Sequence, residues 1–230
     1  MKVFAINGSP KMEKGNTAMV LAPFVEGMTD AGAEVEVVYA SRLKVKPCVC
    51  GEMRCWDATP GECFIHDDMQ LLYPRLKAAD ILVLATPVYI PLPGDMQNVV
   101  NRLCPLLDPR LHFRDGRTRA RFRDDVRIGR IALVATCGWW ELGNLGTVVR
   151  IAEELAEDAS VDFAGAVLRP HAHRMRAQGE LTEDGKAVVA ALRQAGRELV
   201  AEGRMNLDTL RAIARPLISE EEVRRRYAAQ

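Results

Sequence analysis

Short apolar runs recur along the chain at Val3–Ile6, Val35–Tyr39, Ile81–Ala85, Ile128–Ala135 and Val161–Val167. Each has the length of a strand and is rich in Val, Ile, Leu and Ala. Between them the apolar positions change to helical spacing, over Thr17–Ala31, Asp68–Ala78, Asp95–Leu107, Leu145–Glu157 and Thr182–Glu202. The last of these opens on "TEDG" and stops before Gly203, reasonable start and stop signals. Strands that are apolar on both faces and alternate with helices predict an α/β fold, a doubly wound parallel sheet covered on both sides. Five strands in this sequence favour the order 2-1-3-4-5. Residues 1–202 are expected to form one domain with insertions at 41–67 and 108–127. Residues 203–230 follow as a helical extension that docks on its own domain or on a neighbour.

Composition narrows the partners. The 230 residues carry 31 basic and 31 acidic side chains, so bulk charge favours neither nucleic acid nor a membrane surface. No apolar run approaches the roughly 20 residues needed to span a bilayer. A strand beginning at Lys2 leaves no room for a secretion signal, which makes a cytoplasmic location the expectation. There the six cysteines are read as thiols or ligands, not as disulfides.

Chemistry is concentrated where strands end. The first strand runs into "NGSPKMEKGNT", a Gly-rich loop that leads into a helix. Ser9, Asn16 and Thr17 offer side-chain donors, Lys11 adds a full charge, and the N–H groups opening the helix are unpaired at its positive end. Six residues separate Gly8 from Gly15 and Asn16 follows, so the loop is not a P-loop, and G-x-G-x-x-G is absent. A single terminal phosphate suits it. After the third strand, "ATPVYIPLPGDMQNVVNR" presents Pro87, Val88 and Tyr89, which can line a flat ring. After the fourth comes "ATCGWWELGN". In a doubly wound sheet these three loops emerge on one edge, and together they fit a mononucleotide with a large ring. FMN is the natural candidate.

With "CWDATPGECFIHDDM", "RDGRTRARFR" and "GAVLRPHA" added to those loops, most of the chain resembles the flavodoxin-like NAD(P)H-dependent FMN oxidoreductases, including the multimeric flavodoxin and iron–sulfur flavoprotein branch. The resemblance implies a flavodoxin-like fold and non-covalent FMN with NAD(P)H as co-substrate. It also implies a homodimer or homotetramer with flavin sites near subunit interfaces. Carried over residue by residue, Ser9, Lys11, Asn16 and Thr17 hold the phosphate. Pro87, Val88 and Tyr89 contact the isoalloxazine, and Thr136, Cys137 and Gly138 close the other side. "DMQNVVNR" stands where "xMKNxxDR" is common, so no role is assigned to its Gln and Asn. No protein side chain is expected to act as a catalytic acid or base, since the flavin carries the chemistry. The function implied is transfer of hydride or electrons from NAD(P)H through FMN to a small acceptor such as a quinone, free flavin or nitroaromatic. The rival is a non-enzymatic electron carrier of the flavodoxin or iron–sulfur flavoprotein type.

Four cysteines crowd "CVCGEMRCWDATPGEC": Cys48, Cys50, Cys55 and Cys63, with gaps of one, four and seven residues. The iron–sulfur branch uses C-x2-C-x2-C and a fourth Cys, a spacing this loop does not repeat. A [4Fe–4S] cluster, structural zinc and a packed loop without metal all stay open. The insertion at 108–127 holds seven arginines among acidic residues, which reads as a solvated or subunit-facing loop. A second use for Arg117–Arg123 is the phosphate of a dinucleotide, which predicts a preference for NADPH. Of Trp139 and Trp140, one is expected to border the flavin or an oligomer contact. His171 and His173 read as part of a surface or interface loop, and Cys104 as a buried small hydrophobe.

Overall fold

The computed structural model describes residues 1–49 and 52–228. Its centre is a parallel sheet of β1 (Lys2–Asn7), β2 (Glu34–Tyr39), β3 (Ile81–Pro87), β4 (Arg130–Thr136) and β5 (Asp162–Arg169), in spatial order 2-1-3-4-5. Alternation along the strands feeds two cores. Phe4, Ile6, Leu82, Leu84, Ile131 and Leu133 face one side. There they meet α2 (Met69–Ala78), α3 (Gly94–Asn101) and α4 (Gly146–Ala159). Val3, Ala5, Ile81, Val83, Ala132 and Val134 face the other, under α1 (Asn16–Asp30) and α5 (Glu183–Glu202).

Helices α1 and α5 cross at two glycines. A Cβ on Gly27 would lie 2.0 Å from the Arg193 carbonyl oxygen, and one on Gly196 would lie 2.1 Å from that of Phe24. Only the absence of side chains allows this approach. Thr182 caps α5 by accepting from Gly185 N–H at 2.9 Å, and Gly203 ends it at φ +75°.

Two expectations are corrected. The helix read over Asp95–Leu107 stops at Asn101 and resumes as a 3-10 turn at Cys104–Leu106. Pro105 has no N–H to donate to the Asn101 carbonyl, so the ladder loses a bond at this break, and proline suits the start of the new turn. The arginine-rich insertion lies at the sheet's amino edge, away from the loops that follow the strands. It forms a hairpin, His112–Arg114 with Arg117–Arg119, turned by Asp115 and Gly116 at φ +52° and +75°. Arg119 Nη2 binds Glu154 and Glu157 of α4 at 2.7 and 2.9 Å, and Arg114 Nη1 binds Ser160 Oγ at 2.6 Å. Arg117 is paired on α4 as well, while Arg121 and Arg123 pair with Asp108, Asp124 and Asp125 within the insertion itself.

The segment after α5 folds back as α6 (Leu207–Ala214) and α7 (Glu220–Ala228). Ile213 of α6 is fully buried in the α1/α5 core. No described helix is long and apolar enough to cross a membrane.

Candidate functional site

Register brings the strand ends level. Asn7 pairs with Ala85, Pro87 with Thr136 and Thr136 with Arg169. The loops that leave these ends are stitched to one another. Gly8 N–H donates to Ala85 O at 2.7 Å, and Val88 N–H to Thr136 O at 2.8 Å. The Thr17 and Thr136 hydroxyls lie 2.9 Å apart, a buried hydrogen bond spanning 119 residues of chain. Ser9, Thr17, Val88, Thr136 and Cys137 thus belong to one connected edge.

The first loop wraps an interior of donors. Asn7 Oδ1 accepts from Ser9 N–H at 2.9 Å, and Ser9 Oγ accepts from Lys11 N–H at 3.3 Å. Ser9 and Thr17 are buried, while Lys11 and Asn16 face solvent. Two glycines set the shape. A Cβ on Gly8 would sit 2.6 Å from Met96 Cβ of α3, and one on Gly15 would sit 2.6 Å from Ser9 Oγ. Asn7 is wholly buried, yet its Nδ2 has no hydrogen-bond partner. An orphan amide donor costs about 1–3 kcal/mol unless an acceptor arrives. Beside it, the first N–H groups of α1 have no carbonyl of their own helix to reach. The chemistry of this donor-rich loop fits an oxygen-rich anion such as the FMN phosphate.

The rim is apolar. Tyr89 is half exposed and Ile90 fully exposed after β3, and Trp139 is 58 % exposed after β4. Burial pushes the Cys137 thiol up, with hydrogen bonding to the Trp139 and His171 backbone only partly offsetting it, so Cys137 stands as a neutral thiol beside Thr136. A hollow of about 330 Å³ opens next to Gly138, between Trp139, Trp140 and α7.

His171 is not on the surface, which corrects that half of the reading of "RPHAH", while His173 is exposed. His171 is 2 % exposed, and its Nε2 accepts from Leu217 N–H at 3.0 Å. Burial, then the charge of Arg169, pushes its imidazole down to about 4. Arg169, fully buried without an acid beside it, donates to Pro170 O at 2.8 Å, to Arg215 O at 2.9 Å and to Ile213 O. Its own affinity for a proton drops to about 10, chiefly through burial and then through Arg215. Trp140 Nε1 donates to Ile218 O at 3.0 Å. These three side chains clamp residues 213–218 over the fourth-strand loop. Only an isolated polar triplet after an apolar strand could have signalled this in the sequence. Asn7 gave a clearer sign, a carboxamide at the end of an otherwise apolar run.

The cysteine loop lies on the α3 side. Arg102, 1 % exposed, grips it: Nη1 and Nη2 reach Asp67 at 2.7 and 3.2 Å, and the Lys46 and Ile65 carbonyls at 3.0 and 3.1 Å. Burial alone would raise the Asp67 carboxyl, but hydrogen bonds from Arg102, Lys46 N–H and Met69 N–H hold it below the usual carboxylate range. Cys48 is exposed, Cys63 half-buried and Cys55 buried, and Cys50 lies outside the described residues. Cys55 Sγ lies 3.8 Å from Cys104 Sγ. Among the described residues, no three His, Cys, Asp or Glu side chains converge as metal ligands. Those residues do not assemble a cluster donor set.

The model of the NADPH-dependent FMN reductase family matches residues 1–126, more than half of the chain. The chain belongs to this family. The matched FMN reductase span holds the Ser9–Thr17 loop, the cysteine loop and the Pro87–Tyr89 loop, while Thr136–Gly138 lies beyond it. An iron–sulfur flavoprotein of Methanosarcina thermophila is 35 % identical over 91 residues, covering 39 % of this chain and 45 % of that protein. The chain spans about half the length of the curated relatives it matches. Among solved structures, the NAD(P)H:quinone oxidoreductase from Methanothermobacter marburgensis superposes with TM-score 0.59 at 19 % identity, over 86 % of this chain and 96 % of that one. An FMN-dependent NADH-azoreductase from Bacillus anthracis, in complex with FMN, gives TM-score 0.58 at 12 % identity, over 87 % and 100 %. At these identities the FMN reductase fold is what is shared.

Proposed function

We propose that the chain binds FMN at the carboxyl edge of its sheet and passes reducing equivalents from NAD(P)H to a small acceptor such as a quinone, free flavin or nitroaromatic. The observation that carries this reading is the stitched edge itself. The loops after β1, β3 and β4 are joined through Thr17, Thr136 and Val88, around a buried Asn7 donor that lacks a partner. Ser9, Lys11, Asn16 and Thr17 would hold the phosphate, Asn7 Nδ2 would meet an acceptor oxygen, and Pro87–Tyr89 with Thr136–Gly138 would flank the ring. Bound there, FMN supplies hydride acceptance and electron delivery. The chain's own part would be placement, with the loops after β3 and β4 flanking the ring and the apolar rim of Tyr89, Ile90 and Trp139 bordering it.

The family match and the azoreductase fold support this reading, and a dimer or tetramer that covers the exposed rim is part of it. Anaerobic protein reconstituted with FMN should bleach on addition of NADPH and turn over a quinone in steady state. Bleaching without turnover of any small acceptor would favour the electron carrier, the reading suggested by relatives named iron–sulfur flavoproteins. A [4Fe–4S] cluster on Cys48, Cys50, Cys55 and Cys63 draws support from those names alone, and iron and sulfide analysis of anaerobic preparations tests it.

A further inference from the structure

Cys55 and Cys104 are 49 residues apart in sequence, yet their sulfurs are at contact distance, 3.8 Å. Cys55 sits on a single helical turn, Arg54–Asp57, inside the cysteine loop, and Cys104 opens the 3-10 turn after α3. The adjoining Trp56 fixes the two segments in register, since its Nε1 donates to Cys104 O at 3.0 Å. We propose that Cys55 and Cys104 are a reversible dithiol–disulfide pair, a redox-modification site built into the cysteine loop.

The geometry is close to what the bond needs. A disulfide requires the sulfurs at about 2.05 Å, a closure of roughly 1.8 Å that side-chain rotation and a small shift of the loop can supply. Exposure assigns the order of events. Cys104 is half-buried and Cys55 buried, so hydrogen peroxide, the oxidant, meets Cys104 first. The Cys104 thiolate attacks the peroxide, its sulfur is oxidised to sulfenic acid, and the O–O bond breaks to release hydroxide, which takes a proton to become water. The Cys55 sulfur then attacks the sulfenic sulfur. The S–S bond forms, the S–O bond breaks, and a second water leaves with the Cys55 proton. Two thiols and one hydrogen peroxide molecule give one disulfide and two waters. The product would tie the loop to the end of α3, the helix whose Met96 packs against Gly8 of the first-strand loop.

The test is intact mass and non-reducing peptide mapping of the full chain, treated with hydrogen peroxide after incubation with a chelator. The expected result is a loss of about 2 Da, reversed by dithiothreitol, with the Cys55 peptide linked to the Cys104 peptide. Cys63→Ser should keep that link. Cys55→Ser should lose it and leave Cys104 free to proceed to sulfinic acid. The proposal is overturned if wild-type protein keeps all its thiols at peroxide levels that sulfinate Cys104 in Cys55→Ser, or if the link joins other cysteines. It is also overturned if the isolated protein carries iron or zinc that is lost in both Cys55→Ser and Cys104→Ser. The wild-type map needs no variant to fold, and none of these outcomes depends on flavin binding.

Discussion

Asn7 and His171 show how much depends on single buried polar atoms. Asn7 uses its carbonyl on Ser9 N–H and leaves its amide donor unpaired in the loop. Asn7→Asp keeps the acceptor for Ser9 and puts a carboxylate where the donor was. FMN affinity should fall at least about tenfold, the loss of one hydrogen bond to a charged group, with repulsion added. Titration of FMN fluorescence checks this, and unchanged affinity would remove Asn7 from the site. His171 is neutral because Leu217 N–H occupies Nε2 and burial opposes charge. Its folded-state value lies near 4, below the ordinary 6.5. Above about 6.5 both folded and unfolded states hold it neutral, and the group has no effect on stability. As pH falls from about 6.5 toward 4 the unfolded state takes up the proton first, so the fold loses stability across that window. NMR titration of the imidazole should show a midpoint well below 6, and a midpoint near 6.5 would contradict the clamp on residues 213–218.

The elements were largely legible in the sequence because each strand is a near-continuous apolar run and each helix keeps its stripe. The misses have local causes. A 3-10 turn holding Pro105 replaced the end of a helix that apolar spacing alone would have continued, and Asp115–Gly116 made a hairpin inside what read as a charged loop. The role of Arg102 was invisible because its partner Asp67 lies 35 residues away. Removing it leaves a buried carboxylate without its cation, held only by the Lys46 and Met69 N–H groups, so Arg102→Met should cost about 3–5 kcal/mol in chemical denaturation. Asp67 is held below its unfolded value, so the pair's stabilisation is present above that value and fades as pH drops through the folded one. Arg102→Met should flatten this acid limb. The α1–α5 crossing makes a separate prediction. Gly196→Ala drives a methyl onto the Phe24 carbonyl and should destabilise by about 1–3 kcal/mol, whereas Gly143→Ala, with open space around it, should be nearly neutral.

For the whole molecule, the sheet's two edges divide the work. Arginines of the insertion pair with α4 and with neighbouring aspartates at the amino edge, and the carboxyl edge carries orphan donors, small turns and exposed aromatics. That edge was legible because Gly-rich and Pro-rich loops followed apolar strands at the right places. The covering arm was not, since Arg169, His171 and Trp140 meet residues 213–218 only in three dimensions.

The most direct test is titration of the purified, folded full chain with FMN, followed by flavin fluorescence and the visible spectrum. The expected result is saturable binding at a single site per chain, with quenching and with bleaching when NADPH is added anaerobically. Folded protein that shows no saturable binding up to about 1 mM FMN would contradict the assignment of this edge as a flavin site.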